Sequence, residues 1–183
     1  PLVYWQPRFT TVAFIINNLG MGGAENMLLE QVRAMDKRRL EFHIVTILPN
    51  PKTNILSRLP SDVKYLEILS LYKLWLFLKQ EKIYAVVTSL FDANLYGRIV
   101  AILARVPVIL SSELNISDDK KKWQIIADRI LARFTKKILV SSNEVLEFTS
   151  KQENLQKSKF QLNFNAIPLV LGKIKQNRIQ VLR

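Results

Sequence analysis

The chain has 183 residues, 49% of them hydrophobic, and a formal net charge of +12. That length bounds it to one large domain or two very small ones, with enough apolar content for a packed core and too much for disorder. There is no cysteine, which excludes a disulfide framework, a thiol nucleophile and a thiolate metal site. The charge favours anionic partners, set against the simpler reading of a solvated basic face. From Lys151 onward seven Lys/Arg stand against one Glu, which is half of the net charge.

The opening "PLVYWQPRF" has no basic leader, cleavage site or initiator Met, and reads as the start of a fragment or processed chain. "FTTVAFIINN" follows as a buried strand, β-branched and nearly continuous. Residues Ala24 to Arg38 read as a helix, with Met27, Leu28, Val32 and Met35 at helical spacing. "FHIVTIL" is a second strand, stopped by Pro49 and Pro51, and "VKYLEI" a short third. Leu71 to Gln80 is a helix, "YAVVTSL" a fourth strand and Asp92 to Arg105 a helix. "VPVILSS", a helix over Trp123 to Phe134, and "KKILVSS" come next. Asn143 to Lys151 is a helix capped by Ser142 or Ser141, and "FQLNFN" is a seventh strand.

This alternation predicts a doubly wound, Rossmann-like α/β fold: a mainly parallel sheet of six to seven strands with helices on both faces. The pattern weakens after Pro168. Residues 1–168 therefore read as the domain, and 169–183 as a linker or the opening of a second one. No run of about 18 apolar residues exists, so no helix is expected to span a membrane.

In such a sheet, ligands bind beyond the carboxyl ends of the strands. Four loops qualify: Asn17 to Glu25, Ser89 to Asn94, Ser111 to Ser117 and Ser141 to Asn143. The first, "NNLGMGGAENM", fails as a dinucleotide fingerprint, because Glu25 takes the last glycine position and the second strand ends "TILPN" without an acid. No phosphate-loop NTPase motif occurs either. What remains is a glycine turn at a helix N-terminus, a general anion-binding device. The simpler alternative is that Gly22 and Gly23 only permit a tight turn at positive φ.

Four blocks in order, "NNLGMGGAENMLLEQVRAMDKRRLEFHIVTIL", "SLFDANLYGRIVAILARVPVILSSELN", "KKILVSSNEVLEF" and "KFQLNFNAIP", resemble the amino-terminal half of the family-four retaining glycosyltransferases. The resemblance covers Thr10 to Pro168. It implies the acceptor-side half of a two-domain, B-type fold, whose other half binds a nucleotide-sugar donor and carries a paired-glutamate motif. It places the backbone N–H groups of Gly22 and Gly23 on the donor diphosphate. Asn17, Asp92, Asn94, Glu113 and Asn115 become acceptor-side candidates from the strand-end loops. The donor is a substrate, and no cofactor or metal is implied. The acceptor would be a saccharide or a lipid-linked saccharide, met in the cytoplasm or at the cytoplasmic face of a membrane. Three departures stand out: "SSELN" lacks the family's His after the fifth strand, Ala166 replaces a Gly, and Pro168 replaces an Asp. Little or no transfer is expected from this chain by itself.

The lone His43 lies mid-strand and reads as a sheet-face residue. With one His and no Cys, only scattered carboxylates remain as metal ligands. Asp118 and Asp119 beside Lys120 to Lys122 read as a solvated loop and helix start. Two patches could meet an acidic membrane: the helix "LYKLWLFLK", and Lys120 to Lys122 with Trp123. The rival to a transferase is a non-catalytic basic domain for acidic membrane or nucleic acid, the latter disfavoured because no aromatics interleave the basic residues. A truncated, inactive transferase shares the fold and differs only in activity.

Overall fold

A computed structural model describes residues 10–163. Seven parallel strands form one sheet: β1 (Thr10–Ile16), β2 (Leu40–Thr46), β3 (Lys64–Glu67), β4 (Ala85–Ser89), β5 (Val108–Glu113), β6 (Lys137–Val140) and β7 (Phe160–Leu162). Their spatial order is β3-β2-β1-β4-β5-β6-β7. The chain works outward from β1 in one direction, then returns to β1's other side and works outward again. This reversal puts a topological switch point between β1 and β4, where strand-end loops part to leave a crevice.

The helices are α1 (Gly23–Ala34), α2 (Leu71–Gln80), α3 (Arg98–Leu103), α4 (Lys122–Ala132) and α5 (Asn143–Gln152). Strand alternation explains the two-sided core. In β1, Val12, Phe14 and Ile16 pack with Leu28, Leu29 and Val32 of α1. Ala13 and Ile15 point the other way, into Leu74, Phe77 and Leu78 of α2 and Val100 and Ala101 of α3. A third cluster joins Ala132 and Val145, from α4 and α5, to Ile138, Val140 and Phe160. The β4–β5–β6 register puts Ile138 level with Ser111 and Thr88, on the side of Val86. Hence α2 to α5 share one face, and α1 lies on the other.

The expected elements are present, with three changes of detail. Helix α1 stops at Ala34, with Met35 already extended (φ −76°, ψ 147°), although the apolar spacing continues. Asp36 ends it: its Oδ1 accepts the Arg38 N–H at 3.0 Å, turning the chain toward β2. The helix expected from Asp92 begins with a π-helical segment, Ala93–Gly97, before α3. Strand β7 ends at Leu162. The remainder of "FQLNFN" from Phe164, the "NAIP" segment and 169–183 lie outside the described residues. The cap at α5 follows expectation, with Ser142 accepting from Val145 N–H, and α2 is capped as well, by Ser70 accepting from Lys73 N–H. His43 is buried in β2, edge-on to Phe77 with ring centroids 5.4 Å apart.

Candidate functional site

The four loops named from sequence meet along the carboxyl edge of the sheet, and hydrogen bonds tie them together. At the switch point, Asn17 follows β1 and Asp92 follows β4. Asn17 Nδ2 donates to Asp92 Oδ2 at 2.8 Å, and its Oδ1 accepts the Ala93 N–H at 2.9 Å. This one amide closes the seam between the strands and carries the entry to the π segment. Just before it, Leu90 holds φ 73°, a left-handed conformation that costs a branched side chain energy and is concentrated at functional sites.

The π segment places Asn94 beneath the surface, 3% exposed. Its Oδ1 accepts from Thr88 Oγ1 (2.6 Å), and its Nδ2 donates to the Ser112 carbonyl and to Glu113 Oε1, both at 3.0 Å. Both of its N–H donors and one lone pair of its oxygen are spent on the protein, the geometry of a group that orients Glu113. Gly97 makes this packing possible: a Cβ there would lie 3.0 Å from Thr88 Cγ2 and 3.3 Å from Ile15 Cγ2.

Glu113 ends β5 and borders a pocket of ≈100 Å3, lined also by Leu90, Phe91, Asn94, Asn115 and Lys120. Asn115 is exposed at its rim. Thus Asn94, Glu113 and Asn115 share one cavity, and Asn17 and Asp92 pair beside it.

Behind Glu113 lies a charge cluster that sequence reasoning missed. Lys120 is no part of a solvated loop. Its side chain is 8% exposed, and Nζ lies 3.4 Å from Glu113 Oε2, 2.9 Å from Asp128 Oδ2 and 2.9 Å from Glu153 Oε1. The carboxylates are likewise not scattered: oxygens of Glu113, Asp128 and Glu153 lie within 4.8 Å of one another. The Lys120 ammonium offsets part of their charge from within, and Arg98, also buried, pairs with Asp128 from α3. Burial raises the Glu113 and Glu153 pKa values, Lys120 partly opposing it, and Glu153 is pushed up to about 7. For Lys120, burial opposes the charged form and the three carboxylates outweigh it, so its pKa is raised. These residues come from β5, the following loop, α4 and the end of α5, so no local motif could reveal them. The loop itself is tied down by Ser141 Oγ donating to the Leu114 carbonyl (2.7 Å) and Gln152 Nε2 to that of Ser117 (2.8 Å).

The glycine turn lies across the switch point. Gly22 is the N-cap of α1 with φ −84° and ψ 177°, and no glycine among the described residues has positive φ. Conformational freedom explains neither glycine, and space within the chain explains Gly22 alone. A Cβ on Gly22 would collide with Glu25 Oε2, whereas a Cβ on Gly23 would meet nothing within 4 Å. The N–H groups of Gly22, Gly23 and Ala24 have no protein acceptor among the described residues. Asn50, after β2, pins the turn: Oδ1 accepts the Leu19 N–H at 2.7 Å, while Nδ2 donates to Glu67 Oε2 (2.7 Å). The acid missing from "TILPN" is supplied by the end of β3, and bonds to protein.

No protein-family model matches the chain, and no curated protein matches it. Solved structures do. The chain is similar to Anabaena HepE in complex with UDP, with a TM-score of 0.67 and 14% identity over 86% of this chain and 44% of that one. It is similar to the lipopolysaccharide outer core galactosyltransferase WaaB, with a TM-score of 0.64 and 16% identity over 86% of this chain and 46% of that one. The UDP-GlcNAc 2-epimerase of Methanocaldococcus jannaschii also matches, with a TM-score of 0.59 and 16% identity over 83% and 45%. The chain has the Rossmann-like fold of these proteins. It spans less than half of their length.

Proposed function

We propose that this chain is the acceptor-side half of a B-type glycosyltransferase, moving a sugar from a nucleotide-sugar donor to a saccharide or lipid-linked acceptor with retention at the anomeric carbon. The supporting observation is the meeting of an open glycine turn and a polar pocket across the switch point of a fold shared with UDP-bound structures. The transferase and epimerase neighbours share that fold; the four sequence blocks favour transfer. Family four and retention rest on those blocks.

In this reading the helix N-terminus contributes two or three backbone N–H groups to the departing diphosphate, the electrostatic support that a leaving phosphate needs. Gly23 is the closer fit, because its outer side is open, while the Glu25 carboxylate lies against Gly22. Glu113 and Asn115 face the acceptor hydroxyls, with Asn94 and Lys120 fixing Glu113. Asn17 and Asp92 set the separation of the two walls. The uridine nucleotides of the neighbours make UDP-hexoses the donors to test first.

Backbone amide resonances of the chain, followed during titration with UDP-hexose, test this. Gly22, Gly23 and Ala24 are expected to shift together, with smaller changes at Glu113 and Asn115. Shifts confined to the basic surface, with the turn silent, would refute the assignment.

A further inference from the structure

Helix α4 is turned inside out. It buries Asp128 with Leu131 and Ala132, and leaves Trp123, Ile126 and Ile130 about half exposed. These three fall at i, i+3 and i+7, on a single helical face. The neighbouring segment repeats the pattern, with Tyr96, Ile99 and Leu103 exposed at the same spacing. The two segments lie on the same side of the sheet, joined by the Arg98–Asp128 pair and by Phe91 packed edge-on against Trp123, centroids 5.8 Å apart. The six apolar side chains are between 37 and 66% exposed, so together they form an apolar surface of the kind that marks a contact site.

Its border is basic. Arg105, Lys121, Lys122, Arg129, Arg133 and Lys136 are all exposed. Between Ala93 and Ser112 there is no acidic residue, and between Lys120 and Asn143 only the buried Asp128. In sequence, the exposed acids closest to α4 are Asp118 and Asp119, just before its start. An apolar stripe flanked by cations matches an interface of acyl chains and anionic headgroups. A second copy docking through this face would oppose like charges, which penalises self-association.

We propose that the α3–α4 face seats the chain on an anionic lipid surface, with the stripe at the headgroup boundary and the cations among the phosphates. Of the two patches read from sequence, this keeps Trp123 and removes Lys120, whose ammonium is committed to the interior. None of the six stripe residues lines the pocket at Glu113, although Phe91 touches both, so flotation reads this surface and the amide titration reads the transferase site, and either can fail without the other.

The test is flotation of the chain with phosphatidylcholine vesicles, with or without phosphatidylglycerol, at low and high salt. Binding is expected to require the anionic lipid and to weaken with salt. Ile126→Ser with Ile130→Ser is expected to lower partitioning by about tenfold or more, since binding scales with the apolar area inserted. Both side chains are half exposed, so circular dichroism should show an unchanged fold. The tryptophan emission should shift blue on binding, and Trp123→Phe should abolish most of that shift. Equal flotation of wild type and double variant would overturn the proposal, because charge elsewhere, including the basic tail, would then suffice. So would binding to neutral vesicles alone, or dimerisation in solution abolished by the same double variant.

Discussion

Lys120 shows what a single residue decides here. In sequence it belongs to a run of three lysines; in the fold it is the counter-ion of three buried carboxylates. Removing one partner of a buried ionic group leaves uncompensated charge, which typically costs about 3–5 kcal/mol. Lys120→Met is therefore expected to lose stability of that order at neutral pH by urea denaturation, and clearly less in acid, where Glu113 and Glu153 take up protons. An equal loss at both pH values would mean that the lysine contributes packing alone. Glu153 gives the complementary test. Its pKa in the fold is about 7 against an ordinary 4.5, so across that window the folded chain keeps a proton that the unfolded chain has released. Stability from this group is present below the lower value and lost as pH rises through the upper one. Glu153→Gln, which cannot ionise, should gain on the wild type as pH climbs from about 4.5 to about 7. A stability difference that stays flat over that range would refute the raised pKa.

At the scale of elements, legibility followed the source of the signal. Helix α2 has the limits expected from sequence because Ser70, its capping residue, and its apolar face agree. Helix α1 ended early because periodicity cannot report the turn that Asp36 imposes. The π segment was hidden for a different reason: Asp92 to Arg105 keeps helical composition throughout, and the extra residue is accommodated by tertiary contacts, Asn94 with Thr88, Gly97 against Ile15 and Arg98 with Asp128. The strand-end loops were found because sheet topology alone says where to look. What each side chain does there was not, since it depends on partners many residues away. The glycine turn permits a separation of roles. Gly22→Val should displace Glu25 and disturb the start of α1, lowering both stability and nucleotide binding. A Cβ at Gly23 meets no protein atom and valine outranks glycine in a helix, so Gly23→Val should leave stability within about 0.5 kcal/mol of the wild type while blocking the open N–H groups. Thermal melting paired with the amide titration tells them apart. If Gly23→Val left the nucleotide shifts intact, the turn would be a packing feature.

For the whole molecule, the arrangement is, in the proposed reading, one wall of a cleft. Four helices cover one face and α1 the other, and the polar groups gather along the carboxyl edge of the sheet. The matched structures extend to more than twice the portion this chain covers. A helix N-terminus with a few free N–H groups offers a diphosphate little enclosure, and a ligand on an open wall gains few contacts to offset its lost translational freedom. The isolated chain is therefore expected to bind UDP-hexose with a Kd near ~1 mM, about −4 kcal/mol, and to show no sugar transfer to added acceptors. Calorimetry with UDP and UDP-hexose measures the first, and product chromatography the second. A micromolar Kd would mean that these 183 residues hold a complete nucleotide site. Robust turnover would go further, since it requires donor, acceptor and a catalytic group to be held together, and one wall cannot supply all three.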